Sequence, residues 1–257
     1  MPSRPVPDAT TRFTDRVNDY VKYRPTYPLE VIDFLRVHAA LSPAHVVADV
    51  GSGTGISAEL LLRNGNVVFG VEPNADMRAA AERSLRAYTN FYSVGGRAEA
   101  TTLADGSVDL VVAAQAFHWF DLGPTATEFR RILRPGGHVV LLWNDRKTGG
   151  TPFLEGYERL LLAHAIDYRQ VNHSNVTSAD VDAFTGGPVV RGTFANAQHM
   201  DLDGLLGRAR SSSYLPRPGQ PGHDALMAGL RTLFKETQQG GRVTIEYVTE
   251  VYVARTD

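Results

Sequence analysis

The residues best suited to chemistry begin at Asp49-Val50-Gly51-Ser52-Gly53-Thr54-Gly55, where glycine occupies every second position after an acid. Glycine lets the backbone bend sharply and lets a ligand approach where a Cβ would otherwise stand. The β-branched run Val46-Val47-Ala48-Asp49-Val50 leads into the turn, and a helical pattern, Ile56 to Arg63, leads out. The turn therefore joins a strand to a helix whose first N–H groups lack internal partners and point at a ligand. Two ligands suit such a turn: a dinucleotide pyrophosphate and the amino-acid end of S-adenosylmethionine. A purely structural turn is the third reading. The dinucleotide fingerprint asks for Gly-x-Gly-x-x-Gly/Ala. Its third place is Ile56 here, too large for close strand–helix contact, so the spacing leans against a dehydrogenase. No Gly-Lys-Ser/Thr follows, which excludes a Walker loop.

Glu72 ends the second predicted strand, Val67 to Val71. A carboxylate there offers two oxygens to the two hydroxyls of an adenosine ribose, a group both ligands share. An exposed acid at a strand end is the bland alternative. Asn74 suits the cap of the next helix. Met77, one turn into that helix, suits either an adenine or the helix–sheet core.

His118 follows the fourth predicted strand, at the carboxyl edge where open α/β sheets bind ligands, and histidine titrates in a useful range. It is the candidate general base; a pocket wall is the alternative. Trp119 and Phe120 suit stacking on a planar substrate, or the core. Tyr20, Tyr23, Arg24 and Tyr27 read as a lid over the ligand, with a Tyr hydroxyl and the Arg24 fork suited to the cofactor's carboxylate or to a substrate anion. An amphipathic helix docked on the sheet edge fits them nearly as well. His173 and Tyr214, with Arg210 and Arg217, fall in the segment expected to define the substrate. The eight histidines show no His-x-x-x-His pattern, so no metal is expected.

These residues need a scaffold. Helical spacing is predicted for 29–41, 56–63, 75–88 and 125–133, and strands for 46–50, 67–71, 90–94, 108–114 and 139–143. Arg134-Pro135-Gly136-Gly137 stops the last of those helices. Alternating strands and helices call for a mostly parallel sheet covered on both faces. Later, 153–168, 202–211 and 224–238 read as helices. One strand is expected within 189–200, and a strongly alternating one lies within 242–255.

With these motifs in order, the chain resembles the class I S-adenosylmethionine-dependent methyltransferases. The resemblance is to the methyltransferase-11-like group, which includes trans-aconitate methyltransferases and many natural-product enzymes. It rests on Val47–Gly55, Val71–Met77, Gly96–Glu99 with Leu103–Asp109, Ala114–Phe120 and Glu128–Gly137. Asp19–Pro25 and Ser211–Pro216 are similar to the narrower group. The resemblance implies a Rossmann-like, doubly wound seven-stranded α/β sheet, mostly parallel, with helices on both faces and an antiparallel last strand within 242–255. It implies that Asp49 and Gly51 lie near the cofactor's methionine part, with Gly53 and Gly55 shaping the turn and Ser52 within it. Glu72 would hold the ribose, Pro73 would sit near the adenine, and Ala98 and Glu99 would face the adenine edge. Gln115 would border the amino-acid end, beside Tyr20 and Arg24 of the lid. Many relatives carry an acid where this chain has Arg97, so the resemblance leaves that adenine contact to Glu99 or to solvent.

The expected organisation is a flexible arm over 1–11 and one domain over 12–257. That domain divides into a helical lid (12–41), a cofactor core (42–147) and substrate-side elements (148–257). The expected reaction is direct displacement of the methyl group by an O or N atom of a small molecule, such as a natural-product intermediate or small carboxylic acid. A quinone-like carbon acceptor and a nucleotide-dependent oxidoreductase are the alternatives. The 257 residues are 43% hydrophobic, carry a formal net charge of −2 and include no cysteine. That balance predicts no nucleic-acid or membrane partner, and no thiol chemistry or disulfide is available. With no apolar signal segment near Met1, a cytoplasmic monomer or homodimer is expected.

Overall fold

The computed structural model describes residues 14–168 and 178–256. The predicted 1–11 arm and His173 lie outside the described residues. Seven strands form one sheet: β1 (Val46–Val50), β2 (Val67–Val71), β3 (Phe91–Val94), β4 (Val108–Ala114), β5 (Leu133–Arg146), β6 (Val189–Met200) and β7 (Val243–Arg255). Their order is β3-β2-β1-β4-β5-β7-β6. The first five run parallel, and β7 inserts between β5 and β6, antiparallel to both. The chain winds outward from β1 in both directions, which leaves a crevice at the carboxyl ends of β1 and β4.

The strand sequences explain the layers. Val47 and Ala48 point to opposite faces of β1, and both are fully buried. A strand covered on both sides loses the apolar–polar alternation of a half-exposed one. Val47, Leu110 and Val112 pack under α2 (Glu30–His38) and α3 (Ile56–Arg63). Ala48, Val111 and Val139 pack under α5 (Leu122–Ile132) and α7 (Ser178–Thr185). A third cluster joins α6 (Pro152–His164), α8 (Leu202–Arg210) and α9 (His223–Thr237) to the far ends of β6 and β7. That cap stands beyond the crevice. The remaining helices are α1 (Val17–Tyr23), after a 3-10 turn at Thr14–Arg16, and α4 (Ala75–Ser84).

Several predicted boundaries move. The 75–88 helix ends at Ser84, with Leu85 buried as its cap. The 125–133 helix starts at Leu122 and runs directly into β5. Arg134-Pro135-Gly136-Gly137 lies inside β5 at a register shift against Val108/Leu110, with Gly136 at φ +77°. The breaker ends a helix and also makes an irregular entry to the strand. The 153–168 helix ends at His164. Helix α7 has no counterpart in the sequence reading. Within the predicted 12–41 lid, α2 is a sheet-covering helix: Val31 and Leu35 are buried in the core. Only the segment through Tyr27 faces the crevice. Among the described residues, no helix is long and apolar enough to cross a membrane and no cluster of three potential metal ligands forms.

Candidate functional site

The glycine turn is held from the neighbouring strand. Gly51 N–H and Ser52 N–H donate to the Val71 carbonyl at 2.8 and 3.2 Å. Gly51 and Gly53 have φ of +71° and +55°, a region that favours glycine. A Cβ on Gly51 would stand 2.6 Å from Ala116 Cβ, so the turn packs tightly against the segment after β4. A Cβ on Gly53 would meet only Met77 Cε, at 3.7 Å. Gly53 therefore fronts open space.

That space is a cavity of about 810 Å³ over the crevice, towards the upper end of the roughly 300–1,000 Å³ of small-molecule sites. Gly51, Ser52, Gly53, Glu72, Pro73, Met77, Ala98, Glu99 and Gln115 all line it, as do Tyr20, Arg24, Tyr27, His118, Trp119, Phe120 and Tyr214.

Two predicted cofactor residues stand off the wall. Gly55 caps α3 at φ +86°, and a Cβ there would meet Leu85 Cδ1 at 2.6 Å. It serves helix packing, because α4 ends against it. Asp49 is fully buried beneath the turn rather than on the cavity surface. Its Oδ2 accepts from Ser57 Oγ at 2.7 Å, and its Oδ1 has no partner. Burial pushes its pKa up to about 7, against the Ser57 hydrogen bond; the nearby Glu72 charge adds to the rise.

Glu72 ties the turn to the next helix. Its Oε2 accepts from Gly53 N–H at 3.0 Å and its Oε1 from Asn74 N–H at 2.9 Å. Burial raises its pKa, while those two N–H groups and Arg78 lower it. Each oxygen keeps a lone pair for a further donor. Asn74 caps α4 as expected, accepting from Asp76 and Met77 N–H at 2.9 and 3.0 Å. Met77 lines the cavity and packs with Val17 and Ala80. Glu99 is partly committed, since its Oε1 accepts from Asp121 N–H at 3.0 Å. Arg97 lines the cavity beside it.

After β4 the chain breaks sharply. Gln115 adopts φ +55°, uncommon for a residue with a side chain, and its Nε2 donates to the Asn144 carbonyl at 3.2 Å. Phe117–Trp119 then form a 3-10 turn. Phe117 anchors it edge-on against Trp143 and Phe184. The His118 and Trp119 rings meet at 4.8 Å on the cavity side, and Phe120 covers Gly51.

The lid is pinned from the far side of the sheet. The Thr26 carbonyl accepts from Asn144 Nδ2 and Asn196 Nδ2 at 3.2 and 2.8 Å. The Tyr23 carbonyl accepts from Gln198 Nε2 at 2.7 Å, and the Tyr23 ring packs on Gly207. Arg24 lies over the Tyr20 ring at 4.7 Å and donates to the Ser211 carbonyl at 2.7 Å. Burial raises the Tyr27 pKa well above its ordinary value.

The wall also includes residues the sequence reading passed over, among them Asn144, Asp145, Arg146, Tyr168, Arg208 and Tyr247. One signal could have exposed Arg208. It falls three residues after Leu205 on the apolar stripe of α8, where a cation is out of place. Arg210 and Arg217 face elsewhere and pair with Asp19 and Asp15 of the N-terminal segment.

Residues 48–141 match the model of a methyltransferase domain family. Among curated proteins, the chain is 38% identical over 143 residues to an uncharacterized methyltransferase of Mycobacterium tuberculosis, covering 54% of each. It is 30% identical over 155 residues to an uncharacterized methyltransferase-like protein of Schizosaccharomyces pombe, covering 60% of this chain and 59% of that one. The matched part thus spans a little over half the length of these relatives. A solved structure from Anaeromyxobacter dehalogenans, provisionally named a type II methyltransferase, superposes with a TM-score of 0.63 at 22% identity. That match covers 91% of this chain and 98% of the other, and it speaks for the shared fold.

Proposed function

We propose that the chain is a class I S-adenosylmethionine-dependent methyltransferase that moves a methyl group from S-adenosylmethionine to an O or N atom of a small molecule, a reading supported by the methyltransferase-domain match over residues 48–141 and by its methyltransferase relatives. The observation that carries this reading is the pairing of Glu72 with the open Gly51–Gly53 turn on one cavity wall. The donor set fits the cofactor. Gly53 leaves room where a side chain would intrude, Glu72 keeps acceptor capacity for two ribose hydroxyls, and Asp49 Oδ1 is an unmatched acceptor under the turn. The bound cofactor supplies a methyl group already activated by a sulfonium, so the protein's task is alignment.

In this reading Glu72 orients the ribose and Met77 with Pro73 and Ala98 flanks the adenine. Arg24 pairs with the cofactor's carboxylate, held for that task by Tyr20 and the Ser211 carbonyl. Tyr27, Trp119 and Phe120 exclude water around the acceptor. His118 takes the acceptor's proton at Nε2, since Nδ1 is buried. Titration calorimetry with S-adenosylhomocysteine and with NAD tests the donor. The expected result is a clear preference for S-adenosylhomocysteine by about 100-fold, or ~2.7 kcal/mol. A preference for NAD, or no binding of S-adenosylhomocysteine, overturns the reading.

A further inference from the structure

The cavity runs across the sheet. Glu72 marks its β2 side, while Arg146, Arg208 and Tyr247 mark its β5–β7 side. Arg146 and Arg208 place two guanidinium groups on the β5–β7 side, where Asp145 of β5 also lines the cavity. Arg146 is matched: Glu158 pairs with it, and it also donates to Tyr168 Oη at 2.9 Å. Arg208 is not matched. It is only 5% exposed, yet among the described residues no carboxylate pairs with it. Its Nη1 donates to Ser212 Oγ at 2.8 Å, and its Nε reaches Tyr247 Oη at 3.4 Å. Its Nη2 has no hydrogen-bond partner among the described residues, and the residue lines the cavity.

Arg16 shows what a structural arginine looks like in the same neighbourhood. It is equally buried and donates to three main-chain carbonyls, those of Arg210, Ser212 and Leu215. Arg208 has no such clamp. A guanidinium cannot shed its proton at neutral pH, so a buried one needs an anion or a full set of acceptors. The second cation nearby makes the demand stronger. Among the described residues Arg24 also lacks a carboxylate partner and its buried Nε has no hydrogen-bond partner, and burial together with Arg208 lowers its pKa. The facing groups on other elements are the Tyr157, Tyr214 and Tyr247 phenols, none of them a carboxylate. Tyr214 leaves its hydroxyl without a hydrogen bond to any described residue and packs its ring on Tyr168 at 4.9 Å.

S-adenosylmethionine offers one carboxylate against an ammonium and a sulfonium. One carboxylate can match Arg24 and leaves Arg208 over. We infer that the methyl acceptor is itself an anion, a small molecule bearing a carboxylate or a phosphate, and that Arg208 Nη2 and the Tyr214 hydroxyl bind that group on the β5–β7 side of the cavity. The inference rests on the methyl-transfer reading for the word acceptor, but the anion subsite stands on Arg208 alone. Arg208 is a substrate-binding residue here, and it sets specificity by leaving a neutral molecule with an unpaired buried cation.

The test uses the full chain, with and without S-adenosylhomocysteine, and three probes of one shape: 4-hydroxybenzoate, 4-hydroxyphenyl phosphate and 4-hydroxybenzamide. Calorimetry should show at least one anion binding about tenfold or more tightly than the amide. Arg208→Met should abolish that preference, Arg208→Lys should restore part of it, and Tyr214→Phe should weaken it about threefold. S-adenosylhomocysteine affinity should stay within about twofold in all three variants. Whichever of benzoate and phosphate binds better names the anion. Equal binding of anions and amide overturns the subsite, as does an unchanged preference in Arg208→Met. If Arg208→Met does not fold, Tyr214→Phe, which removes one oxygen, decides in its place. Anion preference without S-adenosylhomocysteine binding sustains the subsite and removes the donor. S-adenosylhomocysteine binding without anion preference does the reverse.

Discussion

Asp49→Asn should flatten the protein's pH–stability profile. The carboxyl is fully buried and accepts from Ser57 Oγ, the Ala58 N–H also favours its charged form, and Oδ1 has no hydrogen-bond partner among the described residues. Burial lifts its pKa from 3.8 to about 7. In the unfolded chain the group ionises near its ordinary value, so between the two values the folded state binds the extra proton. A folded pKa above the unfolded one makes stability fall as pH rises. The contribution is whole below about pH 4, declines from there to about pH 7, and is lost above. A shift of about three units corresponds to ~4 kcal/mol over the full window, of which roughly 2.5 kcal/mol falls between pH 5 and 8. Asparagine keeps the size and an acceptor for Ser57 but cannot ionise. Its amide adds a buried donor, a penalty of ~1–3 kcal/mol that is nearly the same at both pH values. Urea unfolding of both proteins at pH 5 and pH 8, without cofactor, gives the comparison. The wild type should lose roughly 2.5 kcal/mol more than the variant across that interval. Parallel profiles would mean that Asp49 ionises normally in the fold, and the claim of an uncompensated carboxyl under the turn would be wrong.

Glu72→Ala removes the acceptor of two N–H groups and of the proposed ribose hydroxyls. It should weaken S-adenosylhomocysteine binding by roughly 2–4 kcal/mol in calorimetry, and unchanged affinity would sink the ribose assignment. His118→Ala should lower single-turnover methyl transfer by about 10²–10⁴, once a labelled-methyl screen has found an acceptor. Cofactor affinity should stay within about twofold, and equal losses in both would move His118 to the cofactor. Gly207→Ala places a Cβ 2.1 Å from the Tyr23 ring, forcing α1 and α8 apart. Overpacking of that kind costs about 1–3 kcal/mol, visible as a lower melting temperature. Adding Tyr23→Ala should recover part of the loss, and no change in either melt would show that the two helices do not rest on each other.

Local chemistry made half of this protein legible from its sequence. The strand–turn–helix at 46–63, the acid at Glu72 and the cap at Asn74 each depend on residues close in the chain, so type and spacing were enough. The resemblance added Pro73, Ala98, Glu99 and Gln115, and each of them lines the cavity. The sequence could not separate a glycine that fronts the cavity from one that packs a helix. Gly53 and Gly55 read alike until Leu85 is seen beside one and open space beside the other. It could not show that Asp49 lies under the turn. It missed the β5–β7 wall for a related reason. Arg146, Arg208 and Tyr247 are far apart in the chain and meet only because β7 inserts between β5 and β6 and folds the cap over the crevice. Spacing along the chain carries no information about such a meeting. The glycine-turn end of the cavity is therefore written in local sequence, whereas the meeting of Arg146, Arg208 and Tyr247 at the other end exists only once the sheet has closed around it.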